Sequence, residues 1–136
     1  MRKHNFMLLT FILCVFESLS LKAQSTEGIS ITKDIVYGRA QGMELKLDMA
    51  KPPEEKGTYP ALIFFHGGGW QQGDKSHMHR WLKKFASAGY LTVSVGYRFA
   101  PAFKWPSQVE DAKTAEKPIR KAVEKMFKQF PNPSRK

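Results

Sequence analysis

The residues best suited to chemistry are His66, Gly67, Gly68, Gly69 and Trp70, which stand in an unbroken row. Three consecutive glycines give a turn with free backbone torsions and no side chains between the main chain and a ligand. A ligand can reach backbone N–H groups there directly. Donors held rigidly in such a place stabilise the oxyanion that develops when an acyl carbonyl is attacked, and losing one of them raises that barrier by about 3–4 kcal/mol. The competing reading is a turn that only lets the chain reverse tightly. A second set, Asp74, His77 and His79, has metal-ligand chemistry. Histidines two apart on a helix point to different sides, and no cysteine or further histidine completes a site, so a surface pair at the start of a helix is expected and a metal is not.

The glycine row needs an element to present it. Ala61 to Phe65 runs without a charge, is short and is rich in Ile and Phe, so it reads as a buried strand ending at His66. Upstream, Ile29 to Tyr37 alternates loosely and reads as a strand, Gly38 to Gly42 as a turn, and Met43 to Met49 as a second strand of one hairpin. In that second strand Met43, Leu45, Leu47 and Met49 point one way, with Glu44, Lys46 and Asp48 on a solvated face. Lys51 to Thr58 is a loop. Downstream, Met78, Trp81, Leu82, Phe85 and Ala88 have helical spacing, Gly89 closes the helix, and Leu91 to Val95 is another strand. Strand, helix, strand implies a parallel pair with a right-handed crossover. Ser107 is expected to cap a last helix with Glu110 in capping-box spacing. Its buried face would be Val109, Ala112, Ala115, Ile119, Val123, Met126 and Phe130, and Pro118 should kink or split it. The fold class is therefore α/β, with about four strands and two helices.

The start of the chain reads differently. Arg2, Lys3 and His4 form a basic head, Phe6 to Phe16 is an apolar run interrupted by Thr10, and Ala23 is a small residue at the expected cleavage point. This is the layout of a secretory signal peptide over residues 1–23, too short for a comfortable membrane anchor. Residues 24–136 are then one domain, exported to the periplasm or beyond. The lone Cys14 lies in the leader, so the remainder has neither a disulfide nor a thiol nucleophile. The net charge of +10 loses Arg2, Lys3, Lys22 and Glu17 with the leader and becomes +8. The excess is scattered without aromatic interleaving, which points to solvated helix faces and away from nucleic acid.

His66-Gly67-Gly68-Gly69 after a strand is the oxyanion motif of esterases and lipases. The chain from about Ile29 to about Phe130 resembles the front half of an α/β-hydrolase. It is most similar to the branch holding hormone-sensitive-lipase-like carboxylesterases and feruloyl or acetyl-xylan esterase-like enzymes. The resemblance rests on Val36-Tyr37-Gly38, Leu45-Lys46-Leu47-Asp48, the Pro60 to Trp70 block, Gly73-Asp74-Lys75 and Ala88-Gly89-Tyr90. It continues through Tyr97-Arg98-Phe99-Ala100-Pro101, Trp105-Pro106 and Val109-Glu110-Asp111. It implies that Gly68 and Gly69 supply the oxyanion-hole N–H groups, that His66 braces the loop without being the catalytic histidine, and that Trp70 lines the acyl or alcohol pocket or locks the loop as a core aromatic. Asp74, Tyr97 and Arg98 are expected to stabilise loops, with Arg98 paired to Asp74 or to Asp111.

The family's nucleophile is a serine in Gly-x-Ser-x-Gly, followed by an acid and a histidine. That string is absent: the first glycine position is Thr92 for Ser94 and Phe85 for Ser87, and the second is Thr32 for Ser30. The resemblance thus implies a carboxylic-ester hydrolase acting on a small acyl ester or acylated carbohydrate, without metal or organic cofactor. In this chain the oxyanion loop is expected to be present without nucleophile, acid or base, so the polypeptide alone is expected to be inactive. The alternative is an inactive truncated remnant or a binding module on the same fold. The edge from Leu62 to Phe65 is expected to be exposed and open to self-association.

Overall fold

The computed structural model describes residue 26, residues 28–53 and residues 59–129, with side chains of the last helix described through Glu124. The expected leader, and Phe130 of the last helix face, lie outside the described residues. Four strands form one mixed sheet: β1 Ile31–Ala40, β2 Met43–Ala50, β3 Ala61–Phe65 and β4 Leu91–Val95, in the order β1-β2-β4-β3. Two helices accompany them, α1 His79–Ser87 and α2 Ser107–Gln129, and a 3-10 turn at Lys75–Met78 leads into α1.

β1 and β2 make the expected hairpin, but the turn is tighter than Gly38 to Gly42. Gly38 stays in the ladder opposite Leu45, and only Gln41 and Gly42 form the loop. Both have positive φ, 48° and 79°, which matches the twist of flanking strands in two-residue hairpins. Gly38 is required for another reason: a Cβ there would lie 2.9 Å from Thr114 Cγ2 on α2.

β4 enters between the hairpin and β3, antiparallel to β2 and parallel to β3. All five of its residues are buried, as expected of a strand covered on both faces. On one face Tyr37, Leu45, Leu47, Val93 and Val95 pack with Ala115 and Ile119 of α2. On the other, Ile29 and Ala50 pack with Leu82 and Ala86 of α1, joined by Phe64. The Gly89 N–H donates to Ala86 O, and the Tyr90 N–H to Phe85 O, both at 3.0 Å, with Gly89 at φ +93°. This is a Schellman closure, so Gly89 ends α1 as expected.

Of the apolar residues whose helical spacing predicts α1, Trp81 is exposed, because Leu82 and Ala86 fill the contact with the sheet. Four expectations about α2, β2 and β3 need correction. β3 is not buried: exposed residues alternate with half-buried ones, and Ile63 and Phe65 are exposed because their face opens onto a cleft. Ser107 does not cap α2: the Pro106 carbonyl accepts from Val109 and Glu110, so Pro106 holds that place and Ser107 sits in the first turn. Pro118 does not split α2, which runs through it with the proline on the exposed side. Asp48 is not solvated; it is 1% exposed and ion-paired.

Candidate active site

β3 delivers His66 and the glycines at its C-terminal end. The His66 ring is buried, stacked on Tyr97 at 4.5 Å between centroids and edge-on to Phe99 at 5.7 Å. The Tyr97 hydroxyl donates to the His66 carbonyl at 2.7 Å, and burial pushes that phenol above its ordinary pKa. His66 Nδ1 lies 2.8 Å from the Gly67 oxygen. A carbonyl only accepts, so Nδ1 carries the proton and, in the neutral ring, Nε2 is a bare acceptor. Among the described residues that buried Nε2 has no partner, and neither has Gln108 Oε1.

The turn itself is left-handed, with φ of +129° at Gly68, +60° at Gly69 and +65° at Trp70. The Gly68 carbonyl accepts from the N–H groups of Gln71 and Gln72, at 3.2 and 3.3 Å. A Cβ on Gly68 would fall 1.9 Å from Gln72 O, so only glycine fits. These contacts fix two peptide planes. In a trans peptide, the C=O of one residue and the N–H of the next point in opposite directions. The His66 ring therefore sets the Gly68 N–H by holding the Gly67 oxygen. Gln71 and Gln72 set the Gly69 N–H by holding the Gly68 oxygen. Neither N–H has an acceptor among the described residues.

A cleft of about 510 Å³ runs between β3 and α2. Phe65, His66, Trp70 and Tyr97 line its loop side, Val109 and Ala112 its helix side. The lining includes both brackets of the loop and none of the three glycines. Trp70 is half exposed and stacks on Trp105, 5.0 Å away with planes 11° apart. It is therefore a rim residue and not a core aromatic. Its carbonyl accepts from the Ala100 N–H at 2.9 Å. In the sequence Trp105 stands out only as part of Trp105-Pro106; two tryptophans 35 positions apart carry no spacing signal that would pair them.

The other expected residues are structural. Asp74 caps the 3-10 turn by accepting from the Ser76 N–H at 2.7 Å, and Ser76 holds its carboxyl below the usual range. Arg98 pairs with Asp111 and not with Asp74. His77 and His79 do not converge: the His79 Nε2 lies 2.6 Å from Asp48 Oδ2, while His77 stands edge-on to His66. No group of three or more potential metal ligands exists among the described residues.

Residues 47–128, more than half of the chain, match the BD-FAE family model. The chain belongs to the BD-FAE family. This BD-FAE protein is similar to esterases among known proteins. It is 35% identical over 86 residues to tuliposide A-converting enzyme 2 of Tulipa gesneriana, covering 59% of this chain and 22% of the relative. It is 37% identical over 67 residues to esterase LipC of Mycobacterium tuberculosis, covering 48% and 17%. It is 34% identical over 85 residues to kynurenine formamidase of Danio rerio, covering 60% and 28%. Among solved structures it is similar to esterase 2 of Thermogutta terrifontis in its apo form, with a TM-score of 0.62 and 27% identity over 75% of this chain and 38% of that one. The BD-FAE chain thus spans about a sixth to two fifths of the length of these proteins. Its sheet and two helices are part of an α/β-hydrolase fold.

Proposed function

We infer that this chain is the oxyanion-hole portion of an exported serine carboxylesterase. The supporting observation is that the N–H groups of Gly68 and Gly69 are free while the carbonyl of each peptide unit is tied, beside a cleft rimmed by His66 and Trp70. In this reading a serine attacks the ester carbonyl, a histidine takes the serine's proton, and the two N–H groups hold the oxyanion until the alcohol leaves. Water then hydrolyses the acyl-enzyme by the same route. His66 braces the loop and does not transfer the proton, since its ring is stacked under Tyr97 and its free Nε2 is buried away from any attacking hydroxyl. The cleft fits a small acyl ester or the acylated part of a carbohydrate, and no cofactor is called for.

The 136-residue polypeptide carries no Gly-x-Ser-x-Gly, so purified protein is expected to show no turnover of p-nitrophenyl acetate that an organophosphate abolishes. Joining the serine-, acid- and histidine-bearing part of an esterase relative after α2 is expected to give such turnover. In that joined protein Gly68→Ala should lower kcat by on the order of 10²–10³. Burst release from the 136-residue polypeptide alone, blocked by an organophosphate, overturns the assignment of roles.

Export rests on residues 1–23, and N-terminal sequencing of protein recovered outside the cytoplasm should begin at Gln24. Self-association rests on β3. The Leu91 N–H donates to Pro60 O at 3.0 Å. Alternation then turns the main-chain groups of Leu62 and Phe64 toward β4 and those of Ala61, Ile63 and Phe65 outward. Among the described residues nothing pairs with that edge. Sedimentation at increasing concentration should reveal association, and a single sharp monomer boundary throughout counts against it.

A further inference from the structure

We propose that Asp48 is the positioning residue of the glycine loop, acting through Lys75. Asp48 sits on β2, remote in sequence from the loop, yet its carboxylate gathers three segments. Its Oδ1 accepts from the Asp34 N–H at 2.8 Å and faces Lys75 Nζ at 3.3 Å; its Oδ2 faces His79 Nε2 at 2.6 Å. β1 is deformed to supply the first of these. Its register shifts between Thr32 and Ile35, and Asp34 takes φ +57°, a left-handed conformation that side-chain-bearing residues seldom adopt. That bulge also brings Asp34 Oδ1 to 2.9 Å from Lys75 Nζ.

Lys75 is consequently held at both ends. Its ammonium group is fixed to β2 and β1, and its carbonyl accepts from the Ser94 hydroxyl of β4 at 2.7 Å. The residues just before it back the loop. At Gly73 an added Cβ would lie 2.4 Å from His66 Nδ1 and 2.6 Å from Gly67 O. Those are the two atoms whose contact sets the Gly67 carbonyl and hence the Gly68 N–H. A movement of Lys75 therefore passes through Gly73 to the atoms that aim the donor. A buried ion cluster is a weak source of net stability, because desolvation offsets the attraction. What it fixes is position: one geometry satisfies all four groups.

The oxyanion reading supplies the loop's purpose in this proposal, while the linkage from Asp48 to Gly67 stands on geometry alone. The test is the amide spectrum of the full chain, labelled with 15N, for Asp48→Asn, Lys75→Met and Lys75→Arg. Asp48→Asn and Lys75→Met are expected to shift or broaden the Gly68 and Gly69 resonances while Val93 and Val95 of β4 keep theirs. Lys75→Arg, which keeps the charge, is expected to restore the loop resonances. Folded Asp48→Asn and Lys75→Met proteins with Gly68 and Gly69 unmoved overturn the proposal. If Asp48→Asn does not fold, Lys75→Met decides by the same criterion. Failure of the oxyanion reading would appear separately, as acyl turnover indifferent to Gly68, because these resonances report loop position whatever the loop binds.

Discussion

Removing the Asp111 carboxylate should be the costliest single truncation among the ion pairs. Asp111 and Arg98 are 1% and 4% exposed. Its two oxygens receive the Arg98 main-chain N–H at 2.9 Å, Nε at 2.9 and 3.1 Å, and Nη2 at 2.7 Å, and this pairing holds the guanidinium even more firmly protonated than usual. Breaking one side of a buried pair leaves a charge without compensation and typically costs about 3–5 kcal/mol. In Asp111→Ala the guanidinium keeps Gln41 Oε1 at 2.9 Å, the Ser107 carbonyl at 3.3 Å and the exposed Glu110 carboxylate at 3.6 Å, so the lower part of that range applies, about 3–4 kcal/mol. At about 4 °C per kcal/mol, the value between the 60–100- and 150–250-residue ranges, Tm should fall by roughly 12–16 °C. Urea unfolding followed by circular dichroism at pH 7 measures the loss. The control is Glu116→Ala. Its pair with Arg120 is shorter, 2.6 Å, but lies on the surface, so the midpoint should not move measurably. A double Arg98→Met, Asp111→Leu change should cost less than Asp111→Ala, since no buried charge is left unpaired. The reasoning fails if Asp111→Ala costs no more than Glu116→Ala.

Acid should act through Asp48. Burial pushes its carboxyl up, but the Asp34 N–H, His79 and Lys75 outweigh that and hold it below the usual range. A lowered folded pKa adds stability above the unfolded value near 4 and loses it as pH falls through the folded value. Unfolding midpoints should therefore decline below about pH 4, and less steeply in Asp48→Asn. Alanine scanning of the loop should separate Gly73 from Gly67. A Cβ at Gly73 meets His66 and Gly67, whereas one at Gly67 meets nothing within 4 Å, so thermal melts should show Gly73→Ala strongly destabilised and Gly67→Ala near wild type. Pro118→Ala restores a helix N–H at an exposed position and should raise stability by up to about 3 kcal/mol; a lower melting temperature would refute that.

Much of the fold was legible because the apolar periods are clean. The charge-free run before His66 and the β-branched run at Leu91–Val95 gave β3 and β4, and helical spacing with a terminal glycine gave α1. What misled was local pattern without its tertiary partner. Asp48 alternates with Leu47 and Met49 as a solvent-facing residue should, and its burial depends on Lys75, His79 and a bulge at Asp34 that no periodicity announces. Ser107 and Glu110 have capping-box spacing, yet Arg98 takes the Ser107 carbonyl and the helix begins one residue earlier than that box requires. Arg98 faced two acids in the sequence, and only the return of α2 across the sheet chooses Asp111. At the candidate site, the glycines and their brackets were readable as a motif. The Trp70–Trp105 stack and the route from Asp48 to Gly67 were not, since both join residues that only the fold brings together.

The strand order has a consequence for synthesis. β3 leaves the ribosome first, and the strand that must lie beside it, β4, follows about thirty residues later. At translation rates of about 5–20 residues per second, that is a wait of roughly two to six seconds. For that interval Leu62 and Phe64 have no neighbour of their own, and an emerging segment so apolar is a target for any other nascent chain. Slower decoding between Trp70 and Tyr90 would lengthen this vulnerable period, so the yield of usable protein should respond to codon choice in that stretch more than to codon choice in the hairpin, whose two strands meet almost as soon as they are made.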